Sequence, residues 1–448
     1  MNINGIWYLP ANEEKKLPGF LKIETGKFPY LEIHGSLYNI QSESKEFEEI
    51  ICGHAENGKK ITLINSYLNN HSITSGGYTK FSFSAEAAII GENFANIQDI
   101  KISALKLNHD FLLDWLNLKP FRNSIDDAKK KFRMEYINPN DIEINISNFL
   151  NFQIKFDFQY PAIHQTNTQY FKNSGYISIN FMHEFNFNEL TINLFKIQQF
   201  FTILLFRKLS HFNVNLKFEK SNNSWSEYLN YNNNSENIDI TSLYSKSIRY
   251  LINYQEIEDD LPLILKNWIL NFDTLQPMIS ALFVYMYMTD TRVELRFLTI
   301  VQALESFHRR TQVNNESKEI FTAQLSSICE KLTDSEAGWL KNKLKFGYEP
   351  SLHKRLEFIF DEIKSLNLEH FFVKPKKSIR KIIETRNYLT HFDKNIENLI
   401  LSHSEMVYYT DRLALVLVFL LLKKCEMSEI ALSNIIQRHC KSNFLGFL

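Results

Sequence analysis

Cysteine is scarce and scattered in this chain of 448 residues. Cys52, Cys329, Cys425 and Cys440 form no CxxC pair, and none has a histidine at zinc-ligand spacing. A disulfide framework and a metal knuckle are therefore not expected, and a reducing cytoplasm is the fitting compartment. The opening Met1-Asn2-Ile3-Asn4-Gly5 lacks the charged and apolar regions of a secretory signal. Long apolar runs are missing as well. Residues 200–206, 279–288 and 413–422 are the most apolar stretches, and all fall short of the ~18–20 residues a membrane span needs. They read as core or interface helices, so no membrane partner is expected. No GxxxxGK[ST] phosphate loop, HExxH pair or GxSxG elbow occurs, which leaves a nucleotide-driven motor, a zincin and an esterase without support. No metal or cofactor is called for. His164, His183-Glu184 and His211 have no partners at ligand spacing and read as packed or surface groups.

What is present is a soluble, globular composition, 44% hydrophobic and 23% charged, with enough length for two or three domains. The net charge of −1 argues against a basic nucleic-acid coat protein. From residue 291 onward, however, 24 Lys and Arg stand against 19 Asp and Glu, a net of +5 that leaves −6 for the rest.

The front of the chain reads as short strands at residues 6–9, 20–23, 30–34, 61–65, 78–83, 87–90 and 100–107, with Gly and Pro punctuating the first of them. Such a pattern predicts a sandwich-like or barrel-like sheet. Further on, Phe152, Ile154, Phe156 and Phe158 alternate strictly, the mark of a strand with one buried face. Residues 189–209 predict an apolar helix, and the Asn- and Ser-rich 221–237 an exposed loop. From about residue 240 the pattern is helical. Val293, Phe297, Ile300, Val301, Leu304 and Phe307 recur every three or four residues and give one apolar stripe. The expected fold is α+β and multidomain: a β-rich, sandwich-like region at 1–145, a mixed β/α region at 146–285 and an all-α bundle at 286–448.

One hexad in that bundle carries chemistry: Arg386-Asn387-Tyr388-Leu389-Thr390-His391. A guanidinium grips phosphate in a planar fork at any cellular pH, and an imidazole exchanges a proton near neutrality. Those two groups suffice to drive an RNA 2′-hydroxyl onto its own phosphate without a metal. Pro375 suits the first turn of a helix that would bury Ile379, Ile382, Ile383 and Leu389 and set Arg386 on the same stripe. His391 would then lie about 140° around from Arg386. Either the helix distorts near Thr390-His391, or the two groups meet across a dimer. Lys374, Lys376, Lys377, Arg380 and Lys381 precede the hexad; such a run is a solvated face or a track that guides RNA.

Thr385-Arg386-Asn387-Tyr388-Leu389-Thr390-His391 resembles the signature of HEPN ribonucleases. The stretch from Glu294 to Arg310 resembles the first HEPN helix of the ApeA-type anti-phage proteins. Gly5-Ile6-Trp7-Tyr8-Leu9-Pro10, Pro18-Gly19-Phe20-Leu21 and Leu31-Glu32-Ile33-His34-Gly35 are similar to their N-terminal domain. The resemblance implies an ApeA-like front domain and a C-terminal HEPN bundle acting as a metal-independent endoribonuclease. It further implies abortive infection, cleavage of cellular RNA with tRNA anticodon loops as target, a homodimer or higher homo-oligomer, and release by a phage-derived trigger. Carried onto this chain, Arg386 would hold the scissile phosphate and His391 would act as acid or base. Asn387 would orient them, and Lys376, Lys377, Arg380 and Lys381 would bind RNA. Glu305 would pair with or tune Arg386, or remain a helix-surface carboxylate. His308, beside the first stripe, could line the same cleft; residues 413–422 read first as core packing, and with the first bundle helix would help form a symmetric dimer. The competing expectations are a non-catalytic HEPN scaffold that binds nucleotide, RNA or a partner, and a β-sandwich binding protein with a helical oligomerisation domain.

Overall fold

A computed structural model describes residues 1–24, 26–38, 46–73, 79–126, 130–147, 150–159, 172–207, 209, 212–219, 224–230, 250–288, 290–312, 315–365, 372, 374–392 and 394–441. The chain divides into two compact units, Met1–Leu205 with Leu209–Gln255, and Phe206–Lys208 with Glu256–Leu448.

The first unit is strand-rich. Strands β1 (Asn2–Tyr8), β2 (Leu17–Lys22), β3 (Tyr30–His34), β4 (Phe47–Ala55), β5 (Lys60–Ile73) and β6 (Thr79–Ile90) pair antiparallel in the ring β1-β2-β3-β6-β5-β4, which closes back on β1. Of the two forms the strand pattern allowed, these six make the barrel. Alternation fills it: Leu21 and Ile23, Leu31 and Ile33, Ile61 and Leu63, Phe81, Phe83 and Ala85 all join one buried cluster. Fully buried Trp7 belongs to the same cluster. Gly53 makes room for it, because a Cβ there would lie 2.4 Å from the indole ring.

β6 is long enough to serve two sheets. Its first half (80–84) pairs with β3, and on the same side residues 87–90 pair with β14 (Ser226–Asn230). From there the sheet continues through β13 (Asn213–Phe218), β7 (Ile102–Asn108), β12 (Lys172–Phe185), β11 (Leu150–Gln159) and β10 (Ile142–Ser147). The divide expected at residue 145 falls inside β10. β11 carries the predicted alternation, with Phe152, Ile154 and Phe156 buried. β8 (Phe121–Asp126) and β9 (Lys131–Tyr136) form a separate hairpin. Helices α1 (Phe111–Trp115) and α2 (Phe187–Leu205) share an aromatic cluster, in which Phe201 meets Phe111, Trp115 and Phe212. α2 stops four residues before the expected end, where Phe206 takes a left-handed backbone (φ 50°). Part of the predicted loop 221–237 is in fact β14: Tyr228 is buried there at 1% exposure, and the strand is paired on both sides. His164 and His211 lie outside the described residues, as do the side chains of His183 and Glu184.

The second unit is helical. It takes in the end of α3 (Tyr254–Ile257) and the whole of α4 (Leu261–Tyr287), α5 (Val293–Thr311), α6 (Asn315–Cys329), α7 (Asp334–Lys343), α8 (Leu352–Ser365), α9 (Pro375–His391), α10 (His403–Lys424) and α11 (Glu429–Lys441). α5 is central and packs on α4, α8, α9 and α10. Its predicted stripe, from Val293 to Phe307, is buried throughout. A capping box of Ser402 and Glu405 starts α10. Every residue of 413–422 in that helix is buried within the single chain. Those residues are core and cannot supply the dimer seam expected of them; an all-apolar run satisfies itself by burial on every side. Arg438 of α11 clasps Glu256 through Nε and Nη2 at 2.6 and 2.9 Å.

Candidate active site on α5 and α9

α9 begins at Pro375 and runs without a break to His391. Ile379, Ile382 and Thr385 point into the bundle and are buried, while Ile383 and Leu389 are half-buried. Thr385 fixes the helix to the chain that follows. Its hydroxyl donates to the Lys381 carbonyl at 2.7 Å and accepts from the Leu401 N–H at 2.9 Å. One position on, Arg386 emerges from the buried face with 33% of its side chain exposed. Its Nη1 donates to Asn387 Oδ1 at 3.2 Å, and its Nη2 stands 3.9 Å from Glu305 Oε2 on α5. Arg386, Asn387 and Glu305 therefore form one group.

His391 stands apart from it. It is the last residue of α9 and is exposed. The helix does not distort to bring the imidazole back toward Arg386. It ends one residue later at Phe392, whose left-handed φ of 52° turns the chain away. A phenylalanine rarely takes that conformation. Of the two ways to unite Arg386 and His391, distortion within the chain is not the one used.

The basic run lies at the other end of α9. Lys376 and Lys377 are exposed, about 15 Å along the axis from Arg386 at 1.5 Å per residue. Arg380 pairs with Glu384 and Lys381 with Glu405, each at 2.7 Å. Arg380 remains 72% exposed, and Lys381 is half-buried.

His308 does not line this site. It is buried, with its ring edge against Phe358 and its Nδ1 3.4 Å from Arg355 Nη1. An arginine can only donate, so Nδ1 accepts and the ring is neutral. Burial, and then the adjacent Arg355, hold its pKa below the ordinary histidine value. Arg355 is itself buried; it donates to the Pro350 carbonyl and pairs with Glu349 at 2.8 Å. Glu349 also meets Arg309, which reaches Glu305. The spacing in sequence does not reveal this ladder, because Glu349 sits in the turn before α8, 40 residues from Arg309.

Comparison with known families fits both units. The profile of ApeA N-terminal domain 1 matches residues 2–268, and that of the Apea-like HEPN domain matches residues 298–430. The chain belongs to the ApeA family. No curated protein and no solved structure matches it. The HEPN match spans Glu305, Arg386, Asn387 and His391. ApeA membership points to an anti-phage HEPN nuclease, and HEPN domains typically act on RNA and oligomerise. Among the described residues, no helix of this ApeA chain is long and apolar enough to cross a membrane.

Proposed function

We propose that this ApeA-family chain is a metal-independent endoribonuclease that cuts cellular RNA during phage infection and so arrests growth. The observation that carries the reading is the half-buried guanidinium of Arg386. It is braced by Asn387, accessible to solvent, and followed five residues later by an exposed imidazole inside the HEPN-matched span. Arg386 holds the scissile phosphate and the charge that grows on it. One imidazole takes the proton from the 2′-hydroxyl as its oxygen attacks phosphorus. The P–O5′ bond breaks, and a second imidazole returns a proton to the leaving oxygen. The products are a 2′,3′-cyclic phosphate and a 5′-hydroxyl. Since α9 stays regular through His391, a second copy of the chain supplies the complementary group, and the working cleft belongs to a homodimer or higher homo-oligomer.

Lys376, Lys377, Arg380 and Lys381 lead the RNA toward the cleft, with a tRNA anticodon loop as the target. The strand-rich unit answers a phage-derived trigger, and the whole acts in the cytoplasm. A second reading, a non-catalytic HEPN scaffold, draws on the Glu305 partner that Arg386 already has within one chain.

The two are separated by end-mapped RNA sequencing from phage-challenged cells expressing wild type, Arg386→Ala or His391→Ala. The ribonuclease reading expects wild-type cleavage, in EDTA as well when repeated in vitro, and a loss of about 10²–10⁴-fold in either variant. Products with a 3′-hydroxyl, or variants that protect as well as wild type, would sink it. A monodisperse monomer that still cuts would remove the shared cleft.

A further inference from the structure

Glu305 has two arginine partners and holds neither closely. Its Oε2 is 3.9 Å from Arg386 Nη2, and its Oε1 is 3.6 Å from Arg309 Nη2. Charge-assisted hydrogen bonds between such groups normally close to about 2.7–2.9 Å. The same cluster shows what close pairing looks like, for Glu349 meets Arg355 at 2.8 Å and Arg309 at 3.0 Å. The contrast has a source. Glu349 is gripped by a guanidinium that is only 3% exposed and is tied to the Pro350 carbonyl and the His308 ring. Among the described residues, Glu305 has no such anchor. Its ladder carries three guanidiniums against two carboxylates, an excess of one positive charge with His308 neutral.

We infer that Arg309 is a second phosphate-binding residue of this site, and that the Glu305 carboxylate sits where an RNA phosphate would bridge Arg309 and Arg386. The inference rests on the ribonuclease reading above. A carboxylate and a phosphodiester both offer two oxygens to a guanidinium fork. The two non-bridging oxygens of a phosphodiester, one to each arginine, close the gaps that Glu305 leaves open. All three side chains can be reached: Arg309 is 57% exposed, Arg386 33% and Glu305 23%. Arg309 sits one turn after Glu305 on α5, and Glu349 steadies it from the other side. Glu305 is thus a resident competitor. It holds the two arginines in register and yields to RNA.

The test uses the full chain with His391→Ala, so that RNA stays intact, and a labelled single-stranded oligoribonucleotide titrated at several salt concentrations. Adding Arg309→Ala weakens binding about tenfold and lowers the slope of log affinity against log salt by about 0.7, the share of one phosphate contact on a single strand. Arg309→Lys restores the slope and only part of the affinity. Glu305→Gln tightens binding several-fold. An unchanged slope in Arg309→Ala, or weaker binding by Glu305→Gln in a protein that melts like its parent, overturns the inference. If Arg309→Ala does not fold, Arg309→Lys and Glu305→Gln decide alone: a wild-type affinity in both overturns it. Wild-type cleavage of the same oligonucleotide is measured alongside. RNA that is bound and cut while Arg309 proves indifferent removes only this inference; RNA that no variant binds and wild type leaves whole removes the ribonuclease reading itself.

Discussion

The two units bury different kinds of polar group. In the strand-rich unit, the buried polar side chains among the described residues are hydroxyls and one amide: Thr62, Ser66, Ser82, Ser178, Gln199, Thr202 and Ser226. The helical unit also buries His308, Arg355 and His439. A neutral group taken from water costs little when bonded and modestly when not, whereas a buried guanidinium without its partner is expensive. The barrel is therefore a scaffold that depends on shape. The bundle holds its site with charge, and its stability must answer to pH as well as to packing.

Four outcomes would sharpen or break that contrast. The largest is expected from Arg355→Ala, which leaves Glu349 only its Arg309 partner and opens a hole beside His308; chemical denaturation should show a loss of about 2–4 kcal/mol. A loss below 1 kcal/mol would mean that the ladder is not structural. In the barrel, the matching test is one of shape. Gly53→Ala puts a methyl group against the Trp7 ring and should cost about 1–3 kcal/mol, read from the same denaturation midpoint.

Next comes pH. The folded-state pKa of His308 lies below its ordinary 6.5, so the unfolded chain binds the extra proton. The contribution of His308 is whole above pH 6.5 and is lost as pH falls through the lowered folded value. Urea midpoints between pH 7.5 and 5 should fall in wild type and fall less in His308→Gln. Equal slopes would remove His308 from the account. The smallest effect is expected from Ser66→Ala. The Ser66 hydroxyl is buried with no hydrogen-bond partner among the described residues, so its removal should change stability by less than about 0.5 kcal/mol or raise it slightly.

Periodicity made the regular parts of this molecule legible. The stripe of α5 and the alternation of β11 follow from residue spacing, because each buries one face, and the start of α9 follows from the fit of Pro375 to a first helical turn. The hexad was equally visible, since its chemistry lies in six consecutive residues. Ring closure was not, because it depends on which strands meet; sequence alone split β6 into two and passed over β4, with its acidic start and internal glycine. β14 was hidden by its Asn- and Ser-rich surroundings, although pairing on both sides decides its state. The surroundings of Arg386 divide in the same way. Asn387 is adjacent and was named, and Glu305 was named from the family's first helix. Arg309, Glu349 and Arg355 form a ladder across three parts of the chain that no local pattern announces.

Ring closure has one more consequence. Each barrel strand has a neighbour on both sides, and along the rest of the twelve-stranded sheet the same holds for every described strand except β10. Among the described residues, Ile142–Ser147 is the one strand of this sheet with a single neighbour, and its outer side presents a rim of backbone donors and acceptors. An extended peptide that docks by strand addition would find a whole strand's edge there, and a proline at a donating position of β10 would block it.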